Sequence, residues 1–370
     1  MFKMPDEIIY VDAKTLETFM KDVFIGLGVP EEDAKIIAEV LITSDLRGID
    51  SHGIQRCKMY YDRIKAGIYE TNTKIDVIKE GPTTAILDGN CGMGHVIAYK
   101  AMKMAIKKAK KYGLGAVAVK NSTHFGIAGY YSLMAIKEGM IGLAVTNARP
   151  SIPPTFGVEP MLGTNPLTIG TPTDEAFPFL IDAATSIIQR GKVELYDRIN
   201  KPLPENTVID EEGKFLTDAG LVLKKMGEKK AALLPLGGKG EETSGYKGYG
   251  YATIVELLSA ALQEGIYLRD TIGIIENDQK RLKVGHFFLA INIDSFAGID
   301  SFKNTAGHIM RDLRNSPKEP GENRIYTAGE KEYDAEIERK KAGIPLNKSL
   351  QEDIKQMKEE LSLYSYNFSF

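Results

Sequence analysis

The sequence is poor in cysteine and has no long apolar run. Its 370 residues include two cysteines, Cys57 and Cys91, too few for a disulfide framework. The N-terminal segment MFKMPDEIIYVDAK lacks the cationic start and long apolar stretch of a secretory signal. No window reaches the roughly 18 consecutive apolar residues of a membrane-spanning helix. These absences argue against a disulfide-rich secreted module and a transmembrane helix, and they predict a reduced, cytoplasmic protein.

Neither sign of charge is in large excess. Lys plus Arg is 47 and Asp plus Glu is 50, which gives a formal net charge of −3. This balance provides no general attraction to nucleic acid or anionic lipid. The apolar fraction of 43% and the charged fraction of 26% are typical of globular domains, and the length corresponds to about two of them. We therefore expect a small molecule or a second copy of the chain as partner, with no nucleic acid and no membrane.

Short metal-binding motifs are also missing. There is no Cys-x-x-Cys pair, and HxxH or HxxxH spacing does not occur among the histidines, which are His52, His95, His124, His286 and His308. We therefore expect no metal site. A metal-assisted hydrolase or lyase that gathers His52, His95 and His124 from distant segments is kept as an alternative.

Hydrophobic periodicity predicts a helical beginning, a mixed centre and a helical end. Apolar residues at helical spacing predict three helices that stop at Gly28, Gly48 and Gly67. Between 83 and 146, short strands alternate with helices, a pattern that alone favours a parallel sheet. Residues 192–227 are polar and are expected to form a loop. A helix is expected over 251–262, and 330–363 is expected to be mostly helical.

The predicted helix after His52 has one polar, cationic face. At 100° per residue this face collects His52, Arg56, Tyr60 and Arg63, whereas the opposite face is apolar. An arginine guanidinium can bind a carboxylate through two parallel hydrogen bonds. The face therefore suits a small anionic substrate, although an ordinary solvated helix face would show the same spacing.

His124 lies in a turn between a predicted strand over 114–120 and a helix that begins near residue 127. Proteins of the α/β class place ligands at such junctions. The positive end of the following helix disfavours imidazolium, so His124 is expected to be neutral and able to accept a proton. A histidine that caps its own turn is the alternative interpretation.

Glycines are concentrated between residues 237 and 250, in the segments GGKG and SGYKGYG. Their backbone amides could bind a phosphate ahead of the predicted helix at 251. However, neither the P-loop pattern nor a Gly-x-Gly-x-x-Gly between a strand and a helix is present. The sequence therefore argues against a P-loop enzyme and a Rossmann domain. It leaves a phosphate-binding turn and a flexible loop as equal alternatives here.

Six motifs, in the same order, resemble those of the malate/L-lactate dehydrogenase family, which is unrelated to the Rossmann lactate and malate dehydrogenases. They are DLRGIDSHGIQR (45–56), NSTHFG (121–126), LGTNP (162–166), DAATS (182–186), LGG (236–238) and KGYG (247–250), and GIPL (343–346) closes the series. The resemblance spans nearly the whole chain. It implies an α/β (α+β) fold with a non-Rossmann, mostly antiparallel NAD(P)-binding domain over 81–299. A helical substrate and dimerisation domain would comprise 1–80 plus 300–370.

The resemblance also implies the activity and the site residues. It implies an NAD- or NADP-dependent dehydrogenase that acts on the CH–OH group of small 2-hydroxy acids, as a homodimer. His124 matches the family's proton acceptor and donor, with Arg56 on the substrate carboxylate and His52 and Ser51 orienting the reacting oxygen. Tyr60 matches a further substrate-holding position. The segments that match the family's cofactor-binding segments contain Thr146, Asn147, Thr164, Asn165, Asp182, Ala183, Ala184, Lys247 and Gly248.

Two departures leave the details of the cofactor pocket open. Tyr246 stands where the family commonly has histidine, and Ala183 stands where it often has methionine. The choice between NAD and NADP is also open.

Malate is the expected substrate, because the sequence looks most like archaeal and thermophilic members described as malate dehydrogenases. Lactate, sulfolactate and imino acids are alternatives within the family, and a binding protein without catalysis is an alternative outside it. A second acidic group on the substrate would require another cation, for which Arg47, Arg63 and Arg149 are the candidates.

Overall fold

A mixed sheet of seven strands forms the centre of the computed structural model, which describes residues 8–276 and 278–370. In chain order the strands are Ile9–Val11 (β1), Asp76–Glu80 (β2), Thr84–Asp88 (β3), Leu114–Ser122 (β4), Met140–Thr146 (β5), Leu167–Thr171 (β6), Phe179–Ala183 (β7), Val208–Asp210 (β8), Ala231–Leu233 (β9), Ile274–Glu276 (β10), Gln279–Arg281 (β11), Val284–Asn292 (β12) and Ile344–Leu346 (β13). The α-helices are Ala13–Gly26 (α1), Glu31–Leu46 (α2), Ile54–Lys65 (α3), Gly94–Tyr112 (α4), Gly129–Lys137 (α5), Arg190–Arg198 (α6), Ala219–Gly227 (α7), Gly245–Ala260 (α8), Ile299–Asn315 (α9), Glu330–Ala342 (α10) and Lys348–Glu360 (α11).

The strand order in the central sheet is β2-β3-β4-β12-β5-β6-β7. Strands β3 and β4 are parallel, and every other neighbouring pair in this sheet is antiparallel. It follows that β3, β4, β5 and β7 all run in the same direction. Their carboxyl ends meet at one edge of the sheet, where the chain continues into the segments that contain His124, Asn147 and Ala184.

The sheet confirms the mainly antiparallel arrangement implied by the family resemblance, and the parallel sheet expected from local alternation is wrong. The reason is β12, which comes from more than 130 residues beyond β5 in the chain and pairs with both β4 and β5. Local hydrophobic periodicity carries no information about such a distant partner.

Helices cover both faces of the sheet. Because side chains alternate along a strand, consecutive residues of β12 point to opposite faces. Gly285 lies against α8, so closely that a Cβ atom there would be 1.7 Å from the carbonyl oxygen of Ser259. Residues Phe288 and Ala290 point the other way, into a core shared with α4 and α5.

The two ends of the described chain form one helical unit. Strand β1 pairs with β13, with Val11 opposite Ile344, so the GIPL motif forms a short strand. Their side chains join a core contributed by α1, α2, α3 and α11. The proposed domain boundaries stay a prediction. Residues 300–315 are the part that fits the proposed helical domain least well. Arg311 of α9 pairs with Asp174 in the β6–β7 connection, which lies in the other proposed domain.

Two local predictions are wrong. Residues 192–227, expected to be a loop, contain α7 and most of α6, and lie in a segment with its own small apolar core that includes Val193, Val208 and Val222. Helix α8 begins at Gly245 rather than near 251. Glycine usually weakens a helix, but here Gly248 lets the helix pack so closely that a Cβ atom would be 2.1 Å from the carbonyl oxygen of Leu236.

Within the described residues, none of the helices combines the length and apolar character needed to cross a bilayer.

Candidate active site

Buried Asp45 holds the start of α3. Its carboxylate accepts a hydrogen bond from the Ile54 amide at 2.8 Å, which satisfies one of the unpaired amides at the helix start. Gly53 leaves room for this contact, because a Cβ atom there would lie 1.8 Å from the carboxylate. Burial raises the pKa of Asp45. The position of the turn Asp50–His52 is thus tied to α2 through a residue that the sequence analysis did not single out.

Ser51, His52 and Arg56 form a connected group at this turn. The Ser51 hydroxyl and His52 Nδ1 are 2.9 Å apart, and Arg56 donates from Nε to the Ser51 carbonyl at 2.7 Å. Burial, with a smaller effect of Arg56, lowers the pKa of His52 to about 3. The His52 imidazole is therefore neutral. The remaining N–H groups of the Arg56 guanidinium can bind an anion.

His124 meets this group in space, as the sequence analysis predicted for a shared site. Its ring stacks on His52 with centroids 5.6 Å apart, and its Nδ1 lies 2.5 Å from the Tyr60 hydroxyl. Burial is the main cause of a lowered pKa at His124, and His52 and Arg56 lower it further. Burial also raises the pKa of Tyr60, which stays a neutral phenol. The sequence analysis assigned Tyr60 to substrate binding, whereas in the structure its hydroxyl contacts His124.

Three of the four arginines at this site have no carboxylate partner among the described residues. Arg149 lies near Arg63, Arg190 and Arg56, and its pKa is lowered by burial and by these cations. Among the described residues, Arg190 pairs with Glu194, but Arg56, Arg63 and Arg149 form no ion pair. Uncompensated guanidiniums this close together favour binding of an anion.

A cleft of about 750 Å³ opens beside Ser51. Its lining includes the small residues Ala183, Ala184 and Gly191, and Lys192 supplies a cation. A Cβ atom on Gly191 would be 3.8 Å from an Arg56 guanidinium nitrogen, so the cleft and the arginine group are adjacent. The volume lies within the range of small-molecule and cofactor sites.

Asp182 and Thr164, two of the residues predicted to bind the cofactor, also make structural contacts. Asp182 accepts a hydrogen bond from the Gly129 amide at 2.8 Å, at the positive end of α5. Although the residue as a whole is exposed, desolvation of its carboxyl raises the pKa to about 6. The Thr164 carbonyl accepts from the Thr185 amide at 2.9 Å.

The other predicted cofactor residues have structural contacts in this structure. Thr146 donates its hydroxyl to the Gly285 carbonyl at 2.9 Å. Asn147 and Asn165 are buried, and each donates a side-chain hydrogen bond to Glu256. Lys247 is exposed and Gly248 is buried in the first turn of α8. Their contact with a cofactor stays a prediction.

Sequence reasoning missed Glu256. Its carboxylate is buried and accepts hydrogen bonds from Asn147, Asn165 and the Leu268 amide. A lone acidic residue within the apolar segment YATIVELLSA of α8 was an available signal.

Metal ligands do not gather at this site. In the described part of the chain, no group of three or more histidine, cysteine, aspartate or glutamate side chains could hold a metal ion. The ligand set of the alternative hydrolase, built on His52, His95 and His124, is therefore not assembled there.

Known proteins show the same sequence pattern and the same fold. The malate/L-lactate dehydrogenase family model matches residues 11–355. Malate dehydrogenase of Pyrococcus abyssi is 43% identical over 352 residues, 95% of each chain. L-sulfolactate dehydrogenase of Methanocaldococcus jannaschii is 39% identical over 92% of this chain and 94% of its own length.

Solved structures agree with these sequence matches. Malate dehydrogenase from Entamoeba histolytica superimposes with a TM-score of 0.94 at 45% identity, and covers 98% of this chain and 100% of its own. The Pyrococcus horikoshii OT3 enzyme gives 0.86 at 41% identity, over 98% and 99%. These matches confirm the resemblance drawn from the six motifs. The chain belongs to the malate/L-lactate dehydrogenase family and is a dehydrogenase acting on a CH–OH group.

Proposed function

We propose that this protein is a malate dehydrogenase that uses His124 to move the proton of the substrate hydroxyl. The observation that carries this proposal is the contact of His124 with Tyr60, next to three arginines for which the described residues provide no carboxylate partner. Relatives named malate dehydrogenase support the choice of substrate.

Arg56 binds the carboxylate next to the reacting carbon, because its free N–H groups lie beside Ser51 and His52. The second carboxylate requires another cation. Of the three candidates, Arg47 is buried and lies 3.8 Å from Glu336, so it is already partnered. We assign the second carboxylate to Arg149 and Arg63.

During malate oxidation, His124 is neutral because burial and the nearby cations lower its pKa. We assign the proton of the neutral ring to Nδ1, with the Tyr60 oxygen 2.5 Å away as its acceptor. Nε2 then carries the lone pair that takes the hydroxyl proton. The resulting imidazolium faces a dianionic substrate, whose charge compensates it. In the reverse direction the same nitrogen returns the proton to the oxygen.

The cleft fits a nicotinamide dinucleotide. Ala183, Ala184 and Gly191 leave space along its wall, and Lys192 offers a cation for a phosphate. When bound, the nicotinamide ring supplies the hydride acceptor or donor. The residues of this chain hold the substrate carbon against it, move the proton and exclude water.

An absorbance assay at 340 nm tests the function. Purified protein is mixed with NADH or NADPH and with oxaloacetate, pyruvate, sulfopyruvate or a cyclic imino acid. We expect oxaloacetate to give the highest kcat/KM, and the better cofactor settles the choice between NAD and NADP. A higher value with pyruvate would contradict the assigned role of Arg149 and Arg63. A higher kcat/KM with sulfopyruvate would indicate a sulfolactate dehydrogenase instead.

We also propose a homodimer in a reducing cytoplasm. Both cysteines are free and buried, which agrees with a reducing compartment. Helix α8 exposes an apolar face that includes Tyr251, Ile254 and Leu257, suited to a second copy. Light scattering should give twice the chain mass, and Leu257→Lys should shift it toward the monomer; an unchanged dimer would remove this face from the interface.

A further inference from the structure

His286 is a fully buried histidine that the proposed mechanism does not use. It lies near the beginning of β12, between the carboxyl ends of β4 and β5. Its Nδ1 is 2.8 Å from the Thr146 hydroxyl, and its Nε2 is 2.7 Å from the Ser122 hydroxyl. Both ring nitrogens are therefore occupied, and the ring connects the ends of the two strands beside the site.

The hydrogen bonds around Thr146 favour one position of the ring proton. The Thr146 hydroxyl has two carbonyl acceptors, Gly285 at 2.9 Å and Asn147 at 3.0 Å. We therefore assign its oxygen as the acceptor of His286 Nδ1–H. Nε2 then carries a lone pair and accepts from the Ser122 hydroxyl. The Ser122 donor and the Thr146 acceptor satisfy a neutral imidazole. A neutral ring agrees with the pKa of His286, which burial lowers to about 3.

The ring of His286 also supports the turn that carries His124. It stacks on Phe125 with centroids 4.4 Å apart and planes within 1°. The Phe125 carbonyl accepts a hydrogen bond from the Tyr131 hydroxyl at 2.5 Å, which holds the same turn from α5. Ser122 begins this turn and Phe125 follows His124 directly. His286 therefore contacts the turn on both sides of the reactive histidine.

We propose that His286 is a positioning residue that holds the Ser122–Phe125 turn and thereby keeps His124 in its half-buried, reactive orientation. This inference rests on the proposed role of His124 in proton transfer. The orientation of a reacting group strongly affects the rate, since a displacement of about 1 Å can cost about a hundredfold. A support that acts through the turn should therefore affect kcat more than KM.

Two variants separate the contributions of the ring. His286→Phe keeps an aromatic ring next to Phe125 and removes both hydrogen bonds, while the Thr146 hydroxyl retains its bond to the Gly285 carbonyl. His286→Asn removes the stacked ring and keeps a donor and an acceptor. His308→Asn is the matched control, because His308 is an exposed histidine on α9. Thermal melting and cofactor titration check that each variant folds and binds NADH or NADPH.

We expect both His286 variants to lower kcat about tenfold to a hundredfold, with KM for malate changed less than about threefold. The pH profile of malate oxidation gives a second readout. The titratable and charged groups near His124 are His52, Arg56, Tyr60, Arg63 and His95 of α4. A looser turn lets water reach His124, so its pKa rises and the acid limb of kcat/KM moves to higher pH.

Folded His286 variants with wild-type kcat and an unmoved acid limb would overturn the inference. If both variants fail to fold, Ser122→Ala removes one of the two hydrogen bonds, and the same two readouts decide. His124→Ala is measured alongside and should lower kcat at least about a hundredfold. Normal turnover in His124→Ala would instead contradict the proposed function, so the two failures are distinguishable.

Discussion

Arg149 is the residue at which substrate choice can be tested most directly. Replacing it with methionine removes a charged hydrogen-bond donor, worth about 1.5 to 3 kcal/mol, and should lower kcat/KM for oxaloacetate about tenfold to a hundredfold. Pyruvate has no second carboxylate, so its kcat/KM should stay nearly unchanged. Arg269→Met, at an exposed arginine paired with Glu159, is the control. Equal losses for both substrates would show that Arg149 does not select the second carboxylate.

Proton uptake on substrate binding follows from the lowered pKa of His124. Burial and neighbouring cations keep His124 of the substrate-free protein deprotonated near neutral pH. A bound dianion neutralises those cations and raises the pKa, so binding should take up protons. Calorimetric titration with oxalate in the presence of cofactor, in phosphate and in Tris, measures this uptake through the difference in buffer ionisation enthalpy. Identical enthalpies in both buffers would contradict the assignment, and His124→Gln should abolish the difference.

At the scale of elements, Glu256 connects α8 to two segments of the site wall. Its carboxylate accepts hydrogen bonds from Asn147 after β5, Asn165 before β6 and the Leu268 amide. Glu256→Ala leaves several buried donors unpaired, each costing about 1 to 3 kcal/mol, so we expect a loss of at least about 3 kcal/mol. Urea unfolding measures it, with exposed Glu242→Ala as the control. A loss below 1 kcal/mol would mean that water replaces the carboxylate.

The elements also show what sequence alone could predict. The helices α1 to α3 and the turn that carries His124 were predicted correctly, because local periodicity and the motifs determine them. The insertion of β12 between β4 and β5 was not predictable, since that pairing depends on distant residues. The start of α8 was predicted wrongly because Gly245 and Gly248 serve close packing rather than flexibility. Within the site, His286 has no local signature because its partners Thr146 and Ser122 lie in distant segments. Glu256 had one, the lone acidic residue of an apolar helix, which the sequence analysis did not use.

For the whole molecule, buried neutral histidines make stability depend on pH. His95 is fully buried, and within the described residues neither ring nitrogen has a partner. Burial lowers its pKa to about 3, compared with about 6.5 in the unfolded chain. The unfolded state therefore binds the proton first, so this contribution to stability is complete above pH 6.5 and is lost as the pH falls.

His95→Phe should reduce that pH dependence. From pH 7.5 to 5.5, His95 alone accounts for a loss of about 1.4 kcal/mol in the free energy of unfolding. The variant should therefore lose about 1.4 kcal/mol less than the wild type between these two pH values. At pH 7.5 its stability should be close to wild type, since it replaces unpartnered polar atoms with apolar ones. Urea unfolding at both pH values, with His308→Asn as control, measures the difference. Equal losses of unfolding free energy in the variant and the wild type would contradict the prediction.

The pairing of β1 with β13 also has a consequence for the order of biosynthesis. Helix α3, with Arg56 and Tyr60, packs in a core completed by Ile354 and Met357 of α11. Helix α11 must therefore be synthesised before α3 has its final neighbours. The central sheet likewise requires β12. A nascent chain can form its early helices, but the proposed site is complete only after α11 has left the ribosome.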